Sequence, residues 1–252
     1  MAGPGTGYPM ECSQTVKRST GTLYGVGVGP GDPELITLKA LRILKSVPVV
    51  AWPAPLSGES LARSIAAPHM RDGQVEIPIR MPIEAGVFPS GEVYDEAAQK
   101  IAHHLEAERD VAAICEGDPF FYGSFMYLFG RLADRFPIEV IPGITSLTAA
   151  AAVLGHPLAA RNDTLAVVPA PLEEGVLERR IADCDACVII KIGRHLRKLR
   201  RIIDRLGLLN NAHYVEYATM DQQRTSPLAD IMIDSASYFS LVLIHKRGDA
   251  WQ

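Results

Sequence analysis

The 252-residue chain has few cysteines, no long apolar run and no excess of positive charge. Four cysteines are too few for a disulfide scaffold in a chain of this length, so we expect a reducing, cytoplasmic setting. Its apolar runs fall short of the roughly 18 residues that a membrane span requires, so we expect no membrane-spanning segment. With 25 Lys and Arg residues against 29 Asp and Glu residues, the net charge of −4 does not indicate a nucleic-acid partner.

The overall composition is that of a globular protein, with 48% hydrophobic and 21% charged residues. Residues 1–20 are the exception, because this stretch is polar and rich in glycine and proline. It lacks the apolar segment of a secretory signal. We therefore expect a flexible tail at residues 1–20 and a folded chain after it.

Short apolar strands alternate with helices along the rest of the chain. The predicted strands are residues 22–28, 47–51, 75–79, 111–115, 138–141, 165–168, 186–190, 213–217 and 238–245. Continuously apolar strands separated by helices are typical of parallel sheets covered on both faces. We therefore predict an α/β protein with two α/β domains, residues 21–140 and 141–252, whose mostly parallel sheets are flanked by helices. The cleft between the domains is the expected active site.

A glycine-rich loop, GVGVGPGDP, follows the first predicted strand and ends at Pro33. Its glycines fail the dinucleotide-binding fingerprint in either register, because Pro30 or Asp32 stands where the third glycine belongs. A nicotinamide-dependent oxidoreductase is therefore disfavoured. Asp32 is instead the predicted N-cap of a helix over residues 32–46. The small residues before it let a ligand approach the backbone closely.

Two further loops carry polar residues where predicted strands end. The segment EGDPFFYGS at residues 116–124 directly follows a buried strand, and ligands of parallel sheets bind beyond the carboxyl ends of the strands. Asp118 can accept hydrogen bonds there from hydroxyls or an amine, beside three aromatic residues that can form an apolar wall. The third loop, IPGITS, opens a helix, where Thr145 and Ser146 either cap the helix or contact a ligand.

These three loops, in this order on an alternating α/β pattern, resemble the tetrapyrrole methylases. The resemblance extends from Gly21 to the C-terminus and includes VIIKIGR and VEYAT in the second half. It implies S-adenosylmethionine-dependent methylation of a small-molecule tetrapyrrole, with S-adenosylhomocysteine as product, by a homodimer. Residues 21–55 are most similar to the enzymes that methylate precorrin-2 at C20 to give precorrin-3A in cobalamin biosynthesis. A cobalt-containing substrate and another ring position stay open as alternatives.

The resemblance also implies which residues contact the cofactor. They lie in the three loops and beyond two later strands: Pro30, Glu116, Gly117, Asp118, Phe121, Thr145, Ser146, Ile192 and Ala218. A base that removes the ring proton after methyl transfer could be Asp32, Tyr122 or Glu216. Arg80 and Arg194 follow predicted strands. They are candidates for binding the substrate carboxylates, because a guanidinium holds a carboxylate in both position and angle.

The sequence predicts no metal site. Cys184 and Cys187 have the spacing of a zinc or redox pair, but no second pair and no histidines complete four ligands. One alternative from a different functional class also stays open. A carrier protein would bind a tetrapyrrole without needing an intact cofactor site.

Overall fold

Two five-stranded sheets form the frame of the protein. The computed structural model describes residues 20–82 and 90–247, so the predicted tail lies outside the described residues except for Thr20. The first sheet is built from strands between Leu23 and Ile141, and the second from strands between Leu165 and His245.

All strands of the first sheet run parallel, as predicted. They are β1 (Leu23–Gly27), β2 (Val49–Pro55), β3 (Val75–Met81), β4 (Val111–Cys115) and β5 (Ile138–Ile141). Their order is β3-β2-β4-β1-β5, so β1 lies between β4 and β5. The carboxyl ends of these three strands therefore meet at one edge of the sheet, and the loops that follow them lie side by side.

Helices cover both faces of the first sheet, which explains why its strands are continuously apolar. They are α1 (Leu38–Ser46), α2 (Leu61–Ala66), α3 (Gly91–Glu106) and α4 (Phe125–Leu132). Alternate residues of a strand point to opposite faces. In β4, Val111 and Ala113 join the core under α3 and α4, whereas Ala112 and Ile114 join the core under α1 and α2.

The helix predicted from Asp32 to Ser46 is divided into two pieces. Asp32 Oδ1 accepts the backbone amide of Glu34 at 2.8 Å and caps only a short 3-10 helix, Pro33–Leu35. Thr37 then provides a second cap, since its Oγ1 accepts the amide of Ala40 at 3.2 Å, and α1 begins at the next residue. Because Asp32 and Thr37 each cap a helical segment of their own, the long helix begins at Leu38 and not at Asp32.

The second sheet is mixed, which differs from the prediction of mostly parallel pairing for this half. Its strands are β6 (Leu165–Pro169), β7 (Ala186–Ile190), β8 (Ala212–Glu216), β9 (Arg224–Pro227) and β10 (Ser240–His245). In the order β6-β7-β10-β8-β9, only the β6–β7 pair is parallel. The chain after β8 forms β9 and β10 without an intervening α-helix, and such helix-free connections join antiparallel strands.

Three helices cover the second sheet: α5 (Ser146–Leu154), α6 (Glu174–Ala182) and α7 (Leu196–Arg205). The face that includes Tyr214 packs against α6 and α7. The face that includes Val215 packs against α5, which is capped at its C-terminus by Gly155 with a left-handed φ of 66°. Because α5 starts from the loop after β5, its first residues lie between the first sheet and the second.

Candidate active site

The loops after β1 and β4 are joined directly to each other. The amide of Gly117 donates to the carbonyl oxygen of Gly29 at 2.8 Å, and the amide of Gly29 donates back at 3.4 Å. Both glycines have left-handed φ values, 85° and 63°, which residues with a Cβ rarely adopt. The loop after β4 is therefore held against the loop after β1 by backbone contacts that these glycines make possible.

The loop after β5 packs into the same junction. A Cβ atom on Gly143 would overlap the carbonyl oxygen of Gly117 and lie 2.9 Å from the Cα of Gly27. The Asp118 carboxylate also bridges the loops, since its Oδ2 accepts the amide of Gly143 at 3.1 Å. Its Oδ1 accepts the amide of Phe120 at 2.9 Å. Three loops that are distant in sequence thus form one close-packed unit.

A cleft of about 280 Å³ opens above this unit and extends to the second sheet. Eight of the nine residues that the family resemblance assigns to the cofactor line it: Pro30, Glu116, Gly117, Asp118, Phe121, Thr145, Ser146 and Ala218. Tyr122, a candidate base, also lines the cleft. The sequence motifs therefore converge on one cavity, and both sheets contribute to its wall.

Ile192 is the ninth predicted cofactor residue, and it does not line the cleft. Its side chain is fully buried in the core between the second sheet and α7. It directly follows Lys191, which does line the cleft. The motif is therefore placed at the cleft, but its isoleucine side chain points away from it.

Two of the three candidate bases lie outside the cleft lining. Asp32 caps the 3-10 helix through its carboxylate, and its backbone amide donates to Thr219 Oγ1 at 3.1 Å. Glu216 follows the alternation of β8 and shares the face of Tyr214, away from the cleft. There it is buried, with Arg224 at 3.9 Å.

The two candidate substrate arginines are exposed and outside the residues that line the cleft. Arg80 lies in β3 beside Met81, a lining residue, and its Nη1 donates to the carbonyl oxygen of Pro55 at 3.0 Å. Arg194 lies in the short 3-10 turn Gly193–His195 before α7. Arg80 is thus next to the rim of the cleft, whereas Arg194 lies just before α7, the helix that covers the other face of the second sheet.

Burial changes the ionisation of several groups in the cleft. It raises the pKa of Glu116, and the amide of Ala62, which donates to Glu116 Oε1 at 3.1 Å, opposes this effect. Burial also raises the pKa of Tyr238, and it raises the pKa of Tyr94 to about 12. Both phenols are therefore neutral at pH 7, and the half-buried Glu116 carboxylate favours a cationic ligand that would compensate its charge.

Several lining residues are not among the site residues that the sequence predicts. Tyr94 in α3 and Tyr127 in α4 reach the cleft from two helices, with ring centroids 4.7 Å apart. Tyr238 and Lys191 reach it from the second sheet. The three tyrosines belong to no quoted motif, so the packing of helices and strands reveals them. Lys191 lies in the motif VIIKIGR, which did not single it out as a site residue.

Backbone strain is concentrated around the same cavity. Six described residues other than glycine have positive φ values, and three of them line the cleft: Tyr122 (57°), Lys191 (56°) and Tyr217 (50°). Thr219, at 69°, directly follows lining residue Ala218. Such conformations cost free energy and persist where the surrounding structure fixes them, which is typical of functional sites.

The paired cysteines lie apart from the cleft. Cys184 and Cys187 are buried in the core of the second sheet. Within residues 20–82 and 90–247, no group of three or more His, Cys, Asp or Glu side chains is arranged to hold a metal ion. Over the same residues, every helix is too short or too polar to cross a membrane.

Two curated proteins are similar to this chain over most of its length. The cobalamin biosynthesis protein CobIJ of Mycobacterium tuberculosis is 45% identical over 232 residues, which cover 89% of this chain but 46% of that protein. The chain thus spans about half the length of CobIJ. The precorrin-2 C(20)-methyltransferase of a Sinorhizobium species is 42% identical, and the alignment covers 89% of this chain and 95% of that enzyme.

A solved structure shares the fold. The uroporphyrin-III C-methyltransferase of Thermus thermophilus, complexed with S-adenosylhomocysteine, superposes with a TM-score of 0.66. It is 26% identical, and the match covers 90% of this chain and 98% of that one. Both sheets are therefore included in the comparison.

The sequence family of tetrapyrrole (corrin/porphyrin) methylases matches residues 22–231. This range contains the three loops and every predicted site residue. It also extends through β9, so it includes the motifs of the second sheet that line the cleft. The chain belongs to the tetrapyrrole methylase family.

Proposed function

We propose that this protein transfers a methyl group from S-adenosylmethionine to C20 of precorrin-2, giving precorrin-3A. One observation carries the proposal. The three loops converge on a single cleft, in a chain that aligns with 95% of a precorrin-2 C(20)-methyltransferase. The convergence supports a methyl-donor site, and the alignment supports the choice of acceptor.

The residues of the cleft fit S-adenosylmethionine by their chemistry. When bound, this molecule supplies a methyl group that is already activated on a sulfonium. Its ribose hydroxyls, amine and positive charge need acceptors, which Glu116, Asp118 and backbone carbonyls provide. Leu147 and Val215 offer an apolar wall for a flat ring. The Thermus enzyme was solved in complex with S-adenosylhomocysteine, which supports the same class of ligand for this chain.

The main task of the chain is to align and shield the reactants. Asp118 fixes the loop after β4 to the loop after β5, which keeps two sides of the cleft at a constant separation. Tyr94, Tyr127 and Tyr238 add aromatic walls that exclude water and can pack against a macrocycle. Correct alignment of an activated methyl group with an electron-rich carbon supplies most of the rate enhancement that we expect.

Tyr122 is the candidate base that the geometry favours. It lines the cleft, whereas Asp32 caps a 3-10 helix and Glu216 lines a separate cavity on the opposite face of the second sheet. A base within reach of the methylated carbon would accept the proton that this carbon loses. Arg80 remains a candidate for binding a substrate carboxylate at the rim, and Arg194 a more distant one.

We also propose that the protein acts as a cytoplasmic homodimer. Exposed apolar side chains such as Met232 and Ile233 support an association surface on the second sheet side. The free cysteines at 115, 184 and 187 support a reducing compartment. Light scattering at working concentration should give twice the mass of one chain, and the mass of a single chain would reject the homodimer.

The activity is tested with precorrin-2 and S-adenosylmethionine carrying a ¹³C-labelled methyl group, incubated without oxygen. We expect NMR to locate one new labelled methyl group at C20. A label at another carbon would reject the C20 assignment. Absence of transfer, with binding of the tetrapyrrole retained, would favour the carrier alternative. A parallel reaction with cobalt-precorrin-2 tests the metal state, since we expect the metal-free ring to react with the higher kcat/KM.

A further inference from the structure

Tyr94 is a buried phenol that lines the cleft without a strong hydrogen-bond acceptor. The residue is 4% exposed, and its hydroxyl group donates to the thioether sulfur of Met81 at 3.5 Å. A thioether is a weak acceptor, and a buried hydroxyl group without a strong partner costs free energy. The wall of the cleft therefore holds a hydrogen-bond donor that the described part of the chain satisfies only weakly.

Two further phenols line the cleft near Tyr94. The Tyr127 ring lies 4.7 Å from the Tyr94 ring, and Tyr127 and Tyr238 both add to the effect of burial that raises the pKa of Tyr94. Among the described residues, none forms a hydrogen bond with the hydroxyl group of Tyr127 or of Tyr238. These two tyrosines are 40% and 43% exposed, so a ligand in the cleft can reach them. Three hydroxyl groups from α3, α4 and the segment before β10 therefore lie in one part of the cleft.

The Tyr94 ring is held in a fixed orientation by its neighbours. The guanidinium group of Arg131 lies 5.7 Å from the ring centroid, within the range of a cation–π interaction. Arg131 is fixed in turn, because it donates to Asp95 at 2.6 Å and to the carbonyl oxygen of Gly91 at 3.1 Å. A hydrogen-bond donor that is already oriented loses little conformational entropy when a ligand binds.

We infer that the hydroxyl groups of Tyr94, Tyr127 and Tyr238 form a subsite that binds one carboxylate of the tetrapyrrole. The inference rests on the proposed function, because precorrins carry several acetate and propionate groups. A carboxylate accepts several hydrogen bonds at once, and bonds to a charged acceptor are stronger than those between neutral groups. Tyr94 and Tyr238 are protonated at pH 7, so both can donate such a bond.

Two of the three phenols lie on the side of the first sheet opposite to that of the buried acid. Glu116 accepts the amide of Ala62 in α2, and α2 packs on one face of the first sheet. Tyr94 and Tyr127 belong to α3 and α4, which pack on the other face. Tyr238 lies within electrostatic range of Glu116, which contributes to its raised pKa. A carboxylate bound beside α3 and α4 therefore meets neutral donors, while Glu116 faces the positively charged methyl donor.

Removal of single hydroxyl groups tests the inference. Tyr94→Phe removes one oxygen and keeps the ring, and Tyr24→Phe makes the same change in β1, outside the residues that line the cleft. Uroporphyrin III is a stable macrocycle with carboxylate side chains, and its fluorescence reports binding to the cofactor-saturated protein. We expect Tyr94→Phe to weaken this binding, and to raise KM for precorrin-2, by about 10-fold. S-Adenosylhomocysteine affinity should stay within about twofold, and Tyr24→Phe should behave as wild type.

Two further measurements separate ligand binding from packing. Because the Tyr94 hydroxyl group has a thioether as its acceptor, the ligand-free Tyr94→Phe variant should have a Tm equal to or above that of wild type. A phenol carries no charge, so the factor by which Tyr94→Phe weakens tetrapyrrole binding should be the same at low and at high NaCl concentration. Tyr127→Phe and Tyr238→Phe should also weaken tetrapyrrole binding and leave S-adenosylhomocysteine affinity unchanged.

Two results would overturn the subsite. In one, the three Tyr→Phe variants bind uroporphyrin III and turn over precorrin-2 with wild-type constants. In the other, Tyr94→Phe lowers Tm and loses S-adenosylhomocysteine affinity by the same factor as tetrapyrrole affinity, which would assign the hydroxyl group to the packing of the cleft. Wild-type protein that binds uroporphyrin III but does not methylate precorrin-2 would overturn only the proposed function, and wild-type protein that does neither would overturn both.

Discussion

Asp118 Oδ2 accepts a hydrogen bond from the backbone amide of Gly143, with 3.1 Å between the two atoms. This bond joins the loop after β4 to the loop after β5, although 25 residues separate the two positions in the sequence. The same carboxylate holds the amide of Phe120 at 2.9 Å. Asp118 therefore both lines the cleft and holds two of its loops together.

Replacement of Asp118 by Ala should weaken S-adenosylhomocysteine binding about 10- to 100-fold, since charge-assisted hydrogen bonds contribute ~1.5–3 kcal/mol. The variant leaves the amides of Phe120 and Gly143 without their acceptor and frees two loops. Asp118→Asn should lose less affinity, because its amide oxygen can still accept one of the two bonds. Calorimetric titration measures both variants, and unchanged affinity in Asp118→Ala would remove this residue from the site.

Replacement of Gly143 by Ala should abolish measurable cofactor binding. The new Cβ would overlap the carbonyl oxygen of Gly117, so the loops must separate. The matched control is Gly130→Ala in α4, where a Cβ meets no heavy atom within 4 Å. This control should raise stability by up to about 1 kcal/mol, because alanine favours helix over glycine. Wild-type cofactor affinity in Gly143→Ala would contradict the close packing of the three loops.

In the ligand-free protein, ionisation of the Glu116 carboxyl group should lower the free energy of unfolding. Burial raises its pKa in the folded state, so the folded protein holds this proton more tightly than the unfolded chain does. Its stability therefore falls as pH rises through the usual carboxyl pKa, and the loss is complete once pH exceeds the folded-state pKa. At pH 7, Glu116→Gln should raise Tm, because it removes the charge and keeps an oxygen that can accept the amide of Ala62, while it weakens cofactor binding. A lower Tm would contradict this account.

Asp163, which does not line the cleft, should make stability depend on pH in the opposite direction. A hydrogen bond from Arg247, at 2.6 Å, is the main cause that lowers the pKa of Asp163 to about 2, and the amide of Ala160 adds to it. His245 also contacts this carboxylate at 3.1 Å. The stabilisation is present above the usual pKa of about 3.8 and is lost as pH falls towards 2.

Asp163→Asn should therefore lower Tm by several degrees at pH 7, and the difference from wild type should shrink as pH falls below 4. The control is Asp72→Asn, which changes an exposed carboxylate in a turn. Thermal unfolding from pH 2 to pH 7 measures both variants. A difference that grows on acidification would contradict the assignment, as would an effect of Asp72→Asn equal to that of Asp163→Asn.

The first sheet could be predicted well because its pattern is local. A continuously apolar segment such as Val111–Cys115 must be covered on both faces, and the strand has the predicted bounds. The second sheet could not be predicted in the same way. Strand β9, Arg224–Pro227, is polar and short, and the apolar run of β10 does not reveal its direction. Pairing of β10 with β7 and β8 depends on tertiary packing.

The sequence could predict those residues of the candidate site that lie in the loops after the strands. Asp118, Thr145 and the glycines are placed together because parallel strands bring their carboxyl ends to one edge. Glu216 shows the limit of such reasoning, since a shift of one residue in a strand moves a side chain to the other face. Lys191 also follows a strand end, but its position in the cleft depends on the sheet opposite, which sequence spacing does not reveal.

The most direct test of the account is a crystal structure of the protein with S-adenosylhomocysteine. We predict that the ligand lies in the cleft, in contact with Pro30, Asp118 and Thr145, with its sulfur directed towards the space between Tyr122 and Lys191. S-Adenosylhomocysteine bound elsewhere, such as the cavity beside Tyr214 on the opposite face of the second sheet, would contradict the central claim that the three loops form the methyl-donor site.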